Sequence, residues 1–267
     1  MMKSCITDCA AEVLIDPNTF SEDGTFSLGG TSISPDGKLI AYAVSDGGSD
    51  WRTWYVMDIA SRELLPDVIE WSKFSEAVWA KDNSGFYYQR YDTPEEELLV
   101  DINEQPKLMF HTLGTNQIDD TIIYENPAQP RWGWSISISE NNAYKILSIS
   151  DGTEEKNRVY IQTTDSNEFL PVIDELIGEY AYLTSLDNVL FFYSTENASN
   201  GKVVTLTIQD GAFVWNDLIA ESMLPIRSVN IINKKILVTY LVDTLSKVKT
   251  FDLNGSFLED FQFAEAG

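Results

Sequence analysis

Histidine and cysteine are almost absent from this chain of 267 residues, which contains one histidine, His111, and two cysteines, Cys5 and Cys9. A Ser-His-Asp or Cys-His site needs an imidazole beside its nucleophile. No Gly-x-Ser-x-Gly elbow occurs either, because the most similar string, Gly30 to Ser34, lacks the final glycine. We therefore expect His111 to be structural and predict no catalytic residue in this chain.

Metal sites built on nitrogen or sulfur ligands are excluded by the same scarcity. Cys5 and Cys9 form one CxxxC pair without a second pair or a histidine cluster, so we expect two free thiols and no metal or cofactor. Acidic pairs such as Asp119-Asp120 and Glu154-Glu155 lie in polar stretches, which is typical of a solvated surface. A glycosidase-type carboxylate pair stays open as an alternative, since its members can be distant in sequence, but no pair stands out.

Basic residues are also few. The chain has 18 Lys and Arg against 42 Asp and Glu, which gives a formal net charge of −24 at pH 7. Such a charge repels a phosphate backbone and leaves no basic stripe to bind one, so the sequence argues against nucleic-acid binding. The acidic residues are scattered, which favours a role in solubility over a field that gathers cationic peptides at an opening.

Long apolar runs are missing as well. No segment has the length and purity of a membrane span, so we expect no membrane partner. The first residues carry one lysine and no apolar core of the kind that an export signal needs. A cytoplasmic location is therefore the expectation.

Aromatic and β-branched residues, in contrast, occur along the whole chain and recur in a repeated unit whose clearest copy runs from Ser32 to Ile59. A tight-turn signal, Pro35-Asp36-Gly37, precedes the apolar run from Leu39 to Val44, and a second strand from Trp54 to Ile59 follows a turn rich in Gly, Ser and Asp. This pattern predicts antiparallel strands joined by short turns.

Five copies of the unit can be counted, with first strands near residues 33, 78, 135, 181 and 228. Their period of about 45 to 57 residues is typical of propeller blades. We predict an all-β fold, a β-propeller of four-stranded antiparallel blades of which about five are present. Because an open arc exposes strand edges, this number indicates a fragment. Residues 1–11 are expected to be a disordered start, and residues 12–267 a partial β-propeller domain.

Some segments are harder to assign. The segment from Glu12 to Asp16 is predicted to be a short strand, and the loop from Thr93 to Asp101 an insertion into the second copy. Val68 to Ser72, Leu170 to Glu175 and Leu218 to Glu221 are ambiguous between strand and a short helix.

A series of short strings occurs in order over residues 12 to about 165. They are Asp16-Pro17-Asn18, Phe20 to Thr25, Ser34 to Gly37, Gly48 to Trp51, Glu63 to Val68, Lys73-Phe74-Ser75 with Trp79, His111 to Thr115, Pro130-Arg131-Trp132, and Asn157-Arg158 with Tyr160. Together they resemble the prolyl oligopeptidase (prolyl endopeptidase) family. Beyond that region the likeness depends on the spacing of the blades.

The resemblance implies a serine endopeptidase that cleaves short peptides after proline. In that family a seven-bladed propeller covers an α/β-hydrolase domain and excludes large folded proteins. No position here matches the Ser, Asp or His of the triad, so the chain is expected to be the propeller alone, truncated at both ends and inactive by itself. The implied partners are proline-containing oligopeptides and the hydrolase domain.

Three positions are assigned to the substrate pocket by the same resemblance. Phe74 looks like the aromatic residue that lines the subsite upstream of the scissile proline, and the alternative is core packing within a blade. Gly133 and Thr153 stand where the family often has Met and Cys, so this subsite is expected to be wider or differently selective.

An independent propeller that binds peptides or a protein partner is the alternative function. It would require the chain to fold as a closed, soluble unit.

Overall fold

The computed structural model describes residues 12–93, 104–209, 211–243 and 245–261. These residues form twenty β-strands and two 3-10 turns, and no α-helix occurs among them. The predicted disordered start at 1–11, both cysteines and most of the predicted insertion at 93–101 lie outside the described residues. The all-β prediction is confirmed.

The strands are grouped by blade in chain order. The first two blades contain β1 (Ser27–Ile33), β2 (Leu39–Ser45), β3 (Trp51–Asp58), β4 (Leu64–Lys73), β5 (Val78–Trp79), β6 (Gly85–Arg90), β7 (Lys107–Thr112) and β8 (Thr121–Tyr124). The third and fourth contain β9 (Trp132–Ile138), β10 (Tyr144–Asp151), β11 (Arg158–Thr163), β12 (Leu170–Ile173), β13 (Tyr180–Leu186), β14 (Val189–Ser194), β15 (Lys202–Gln209) and β16 (Ala212–Ile219). The fifth contains β17 (Ile226–Ile232), β18 (Lys235–Val242), β19 (Leu245–Asp252) and β20 (Phe257–Asp260).

Within each blade, sequential strands pair antiparallel, as the repeat predicts. Strands β9–β12, β13–β16 and β17–β20 each form a separate four-stranded sheet. The first two blades are instead joined into one eight-stranded sheet, because β4 pairs with β3 and also with β6 through Ser72 and Arg90. Four-stranded antiparallel blades are therefore confirmed, and the described residues contain five of them.

The Cα positions divide into two compact units, residues 1–136 and 137–267, with the division inside β9. In the first unit, strands of the first two blades bury a continuous core that includes Trp54, Ile69, Phe86 and Tyr88. In the second unit, one cluster lies between the third and fourth blades and another between the fourth and fifth. Neighbouring blades thus bury each other's faces, since a single blade cannot bury both of its own.

Equivalent turns also link neighbouring blades within a unit. In the first unit, the backbone N–H of Asp36 donates to Asn83 Oδ1 at 3.0 Å. In the second unit, Asn141 Nδ2 donates to the carbonyl of Asp187 at 2.9 Å, one repeat further along the chain. The polar residues in these turns therefore also form hydrogen bonds that hold one blade against the next.

The ambiguous segments belong to the outer strands of their blades. Val68 to Ser72 lies within β4, Leu170 to Glu175 contains β12, and Leu218 to Glu221 contains the end of β16. In β12 all four residues are exposed or half-buried, so its side chains show no alternation between core and solvent. Among the residues described, no helix is long and apolar enough to cross a membrane.

The predicted strand from Glu12 to Asp16 is wrong. These residues pair with no strand in the described part of the chain, and a 3-10 turn, Pro17–Thr19, follows them. The Asp16 side chain accepts a hydrogen bond from the backbone N–H of Asn18 at 3.0 Å, and Pro17 occupies the first position of the turn. A capping aspartate followed by proline favours a turn over an extended strand.

Candidate functional site

Phe74 lies directly after β4, and its side chain is 63% exposed. This exposure contradicts the alternative of core packing within a blade. The backbone of Phe74 has a φ of +52°, and that of Trp71, three residues earlier, has a φ of +59°. A bulky residue rarely adopts this left-handed conformation unless the surrounding structure imposes it.

The residues on both sides of Phe74 are fixed by buried contacts. Ser72 Oγ accepts a hydrogen bond from the indole N–H of Trp54 at 3.1 Å, so Ser72 points into the core. Ser75 Oγ accepts the backbone N–H of Gln89 at 2.7 Å, and the Ser75 carbonyl accepts Arg52 Nη1 at 2.8 Å. Between these two fixed serines, the left-handed backbone of Phe74 places its ring in solvent.

Lys73 lies between two aromatic rings. Its backbone pairs with Trp51 across β3 and β4, and its carbonyl accepts Gln89 Nε2 at 3.0 Å. The ammonium nitrogen lies 5.2 Å from the ring centroid of Trp51 and 5.2 Å from that of Phe74. Asp50 Oδ2 is 3.7 Å from the same nitrogen. The arrangement is a cation with an aromatic ring on either side.

Trp51 is itself held by two further aromatic residues. Its ring contacts Trp71 edge to face with centroids 5.7 Å apart, and Tyr91 in the same way at 5.9 Å. Burial raises the pKa of the Tyr91 hydroxyl, so this residue is neutral at physiological pH. We call the group of Trp51, Trp71, Lys73, Phe74 and Tyr91 the aromatic platform.

Gly133 and Thr153 lie in other parts of the fold. Gly133 is half-buried within β9, between Trp132 and Trp134, whose ring centroids are 6.3 Å apart. Thr153 is exposed in the turn after β10, next to Gly152. Phe74 and Gly133 belong to the first compact unit and Thr153 to the second. The grouping of all three around one peptide therefore stays a prediction.

His111 is buried in the first unit, where its two ring nitrogens face two carboxylates. Nδ1 lies 2.7 Å from Asp120 Oδ1, and Nε2 lies 2.9 Å from Asp67 Oδ1. Burial by itself would lower the pKa of His111, but the hydrogen bonds and charges of Asp120 and Asp67 together outweigh it and raise that pKa. Two carboxylate acceptors favour the form of His111 in which both ring nitrogens carry a proton, and they give the residue a structural role.

Sequence reasoning missed most of these contacts. Lys73 was identified only as part of a family string, and its position between Trp51 and Phe74 depends on the register of β3 and β4. One of the two His111 partners could have been found from the sequence, because Asp67 occupies an inward-facing position in the alternating pattern of β4. A charged residue in such a position calls for a buried partner. No metal-binding group of three or more His, Cys, Asp or Glu was found within the described part of the chain.

Comparisons with known proteins agree with this architecture. A prolyl endopeptidase from Elizabethkingia miricola is 32% identical over 96% of this chain. The dual function macrocyclase-peptidase POPB from Amanita bisporigera is 31% identical over 79% of the chain. The matched region is 36% of the first relative and 31% of the second, so the chain spans about a third of the length of these proteins.

Solved structures show the same relationship. A prolyl endopeptidase structure superposes with a TM-score of 0.86 and 28% identity, covering 96% of this chain and 36% of the other. Prolyl oligopeptidase B from Galerina marginata gives a TM-score of 0.85 with 27% identity, covering 94% and 37%. The model of the prolyl oligopeptidase N-terminal β-propeller domain matches residues 2–267. The chain therefore belongs to the prolyl oligopeptidase family and corresponds to its N-terminal β-propeller domain.

Proposed function

We propose that this chain is the lid and substrate filter of a prolyl-oligopeptidase-like serine endopeptidase that cleaves short peptides after proline. In this proposal the catalytic triad lies outside the chain, on an α/β-hydrolase domain that is its principal partner. Membership in the propeller family and the family's action on proline-containing peptides support it. The cytoplasmic location expected from the sequence is part of the proposal, and cell fractionation would test it.

The observation that carries the proposal is the exposed ring of Phe74. A large aromatic side chain in a left-handed backbone conformation has a cost of about 1–2 kcal/mol. The buried contacts of Ser72 and Ser75 hold the chain in that conformation while the ring stays in solvent. An exposed aromatic face at a strained backbone position suits a peptide subsite.

Gly133 and Thr153 are proposed to complete the subsite when the whole protein binds a peptide. Because they replace larger or less polar family residues, the subsite would accept bulkier side chains upstream of the proline. Substitution of Gly133 by methionine in the full-length protein should therefore lower kcat/KM for peptides with a bulky upstream residue. Peptides with alanine at that position should be little affected.

The experiment that tests the function compares the chain alone with the chain joined to the hydrolase segments of the E. miricola relative. A chromogenic peptide with a cleavable proline is the substrate. The joined protein should cleave it, and the chain alone should give no turnover. Hydrolysis by the chain alone that persists through repurification would contradict the proposal.

The filter role needs a second substrate. The joined protein should cleave a short peptide and leave a folded protein with an exposed proline loop intact. If the joined protein is inactive and the chain alone binds peptides in a folded, monodisperse form, the independent binding module is the better description.

A further inference from the structure

We propose that Lys73 is a positioning residue that fixes the orientation of the Phe74 ring by lying between this ring and Trp51. Its effect on the selection of peptides rests on the proposed function, but its effect on the ring does not. Within the aromatic platform, Lys73 is the residue that contacts both Trp51 and Phe74.

The geometry shows why the ammonium group is held by the rings. The Lys73 nitrogen is 5.2 Å from both ring centroids, within the distance at which a cation is attracted to the face of an aromatic ring. The Lys73 side chain is only 13% exposed, whereas its carboxylate neighbour Asp50 is 60% exposed. An ion pair of 3.7 Å with so exposed a partner contributes little. The two aromatic rings therefore provide most of the attraction that holds the Lys73 ammonium group in place.

Trp51 and the backbone of Lys73 are both held in place by the fold. Trp51 is fixed by edge contacts with Trp71 and Tyr91, and the Lys73 backbone by its pairing with Trp51 and by the hydrogen bond from Gln89. Phe74 has solvent on its outer side. The Lys73 ammonium group thus connects the exposed Phe74 ring to the buried residues around Trp51.

A positioned ring binds a peptide side chain without first having to be ordered. Without the Lys73 charge, the Phe74 ring would sample other rotamers. Peptides that contact the ring would then bind more weakly, because the ring would have to be ordered on binding. Peptides with alanine in place of the contacting residue would lose nothing. Lys73 therefore determines selectivity among upstream residues, and it leaves the chemical step unchanged.

The test uses Lys73→Met, Lys73→Arg and a control, Lys38→Met. Methionine keeps the apolar stem and removes the charge, whereas arginine keeps the charge and also stacks on aromatic rings. Lys38 pairs with Asp36 at 3.1 Å and is 75% exposed, so its substitution makes the same change in net charge away from the rings.

The first readout is NMR of the 267-residue chain with labelled lysine and phenylalanine. The ε-methylene signal of Lys73 should be shifted upfield by the two rings, and the Phe74 ring signals should be dispersed. Lys73→Met should move the Phe74 signals toward their random-coil positions, and Lys73→Arg and Lys38→Met should not. An unshifted Lys73 ε-methylene signal, or Phe74 signals unchanged by Lys73→Met, would overturn the proposal.

The second readout is steady-state kinetics of the chain joined to the hydrolase segments. For a peptide with phenylalanine upstream of the proline, Lys73→Met should raise KM about two- to fivefold with kcat unchanged. The alanine peptide should show no change. An equal rise for both peptides, or a loss in kcat, would contradict the role in selectivity. If the joined wild-type protein is inactive, the proposed function fails while the NMR result still decides the positioning role.

Discussion

His111 donates a hydrogen bond from Nδ1 to Asp120 Oδ1 at 2.7 Å, and both side chains are inaccessible to solvent. Asp120 uses its other oxygen to accept the hydroxyl of Tyr88 at 2.7 Å. On the other side of the imidazole, Asp67 Oδ1 also accepts the backbone N–H of Gly114 at 2.6 Å. Strands β4, β6 and β7 and the turn before β8 are thus joined through the buried His111 and its two carboxylate partners.

This arrangement predicts a loss of stability at alkaline pH. The pKa of His111 is raised above its ordinary value of 6.5 in the folded chain, so the folded state binds the proton more tightly than the unfolded state. The stabilisation is complete below about pH 6.5 and is lost as the pH rises through the folded pKa. The free energy of unfolding, measured by urea titration at a series of pH values, should decrease as the pH rises from 6.5 through the folded pKa of His111.

His111→Gln is the control for this pH dependence. Glutamine fills a similar space but does not ionise, so the variant should be less stable at pH 6 and should lack the decline associated with the histidine. The Tyr88 hydroxyl does not contribute in this range, because burial and the Asp120 charge raise its pKa far above the ordinary value. An identical pH profile for the two proteins would refute the prediction.

Asn157 is predicted to be the most sensitive polar residue between the third and fourth blades. Its amide accepts the Tyr180 N–H at 2.7 Å and donates to the Tyr180 carbonyl at 3.0 Å and to Ser148 Oγ at 2.8 Å. Asn157→Ala leaves these buried groups unpaired and should lower the free energy of unfolding by about 1–3 kcal/mol. Asn18→Ala removes an amide from an exposed turn, so its urea midpoint should stay close to that of the wild type.

Gly85 is predicted to resist substitution for a purely steric reason. A Cβ atom at this position in β6 would lie 1.9 Å from the carbonyl oxygen of His111 on β7. Because the obstacle is backbone, the two strands would have to separate, and Gly85→Ala should destabilise the chain by about 3 kcal/mol or more.

Gly24→Ala is the comparison for this steric cost. A Cβ there has nothing within 4 Å, but the φ of +70° disfavours alanine, with an expected cost of about 1 kcal/mol. A smaller effect for Gly85→Ala than for Gly24→Ala in thermal unfolding would disprove the steric argument.

The repeat could be predicted because its signals are local. The turn signal at Pro35-Asp36-Gly37 and the apolar run that becomes β2 are neighbours in sequence, and the same order recurs in later copies. The outer strand β12 was ambiguous because its four residues are all exposed or half-buried and carry no alternation. The segment from Glu12 to Asp16 has strand-like composition, but a strand also needs a pairing partner, which composition does not specify.

The candidate site was only partly accessible from the sequence. Phe74 was identified by resemblance, whereas its exposure depends on a left-handed backbone conformation that no apolar pattern encodes. His111 was expected to be structural, but its partners Asp67 and Asp120 are 44 and 9 residues away. Contacts of this kind depend on which strands become neighbours, which follows from the packed blades.

The double pairing of β4 has a consequence for how the protein opens. Since β4 is hydrogen-bonded to both β3 and β6, the first two blades share one backbone network, whereas β9–β12, β13–β16 and β17–β20 are separate sheets. Subglobal opening should therefore release the first two blades as one cooperative unit and the later blades one at a time. In native-state hydrogen exchange, amides of β2 and β7 would then share one opening free energy although they lie in different repeats.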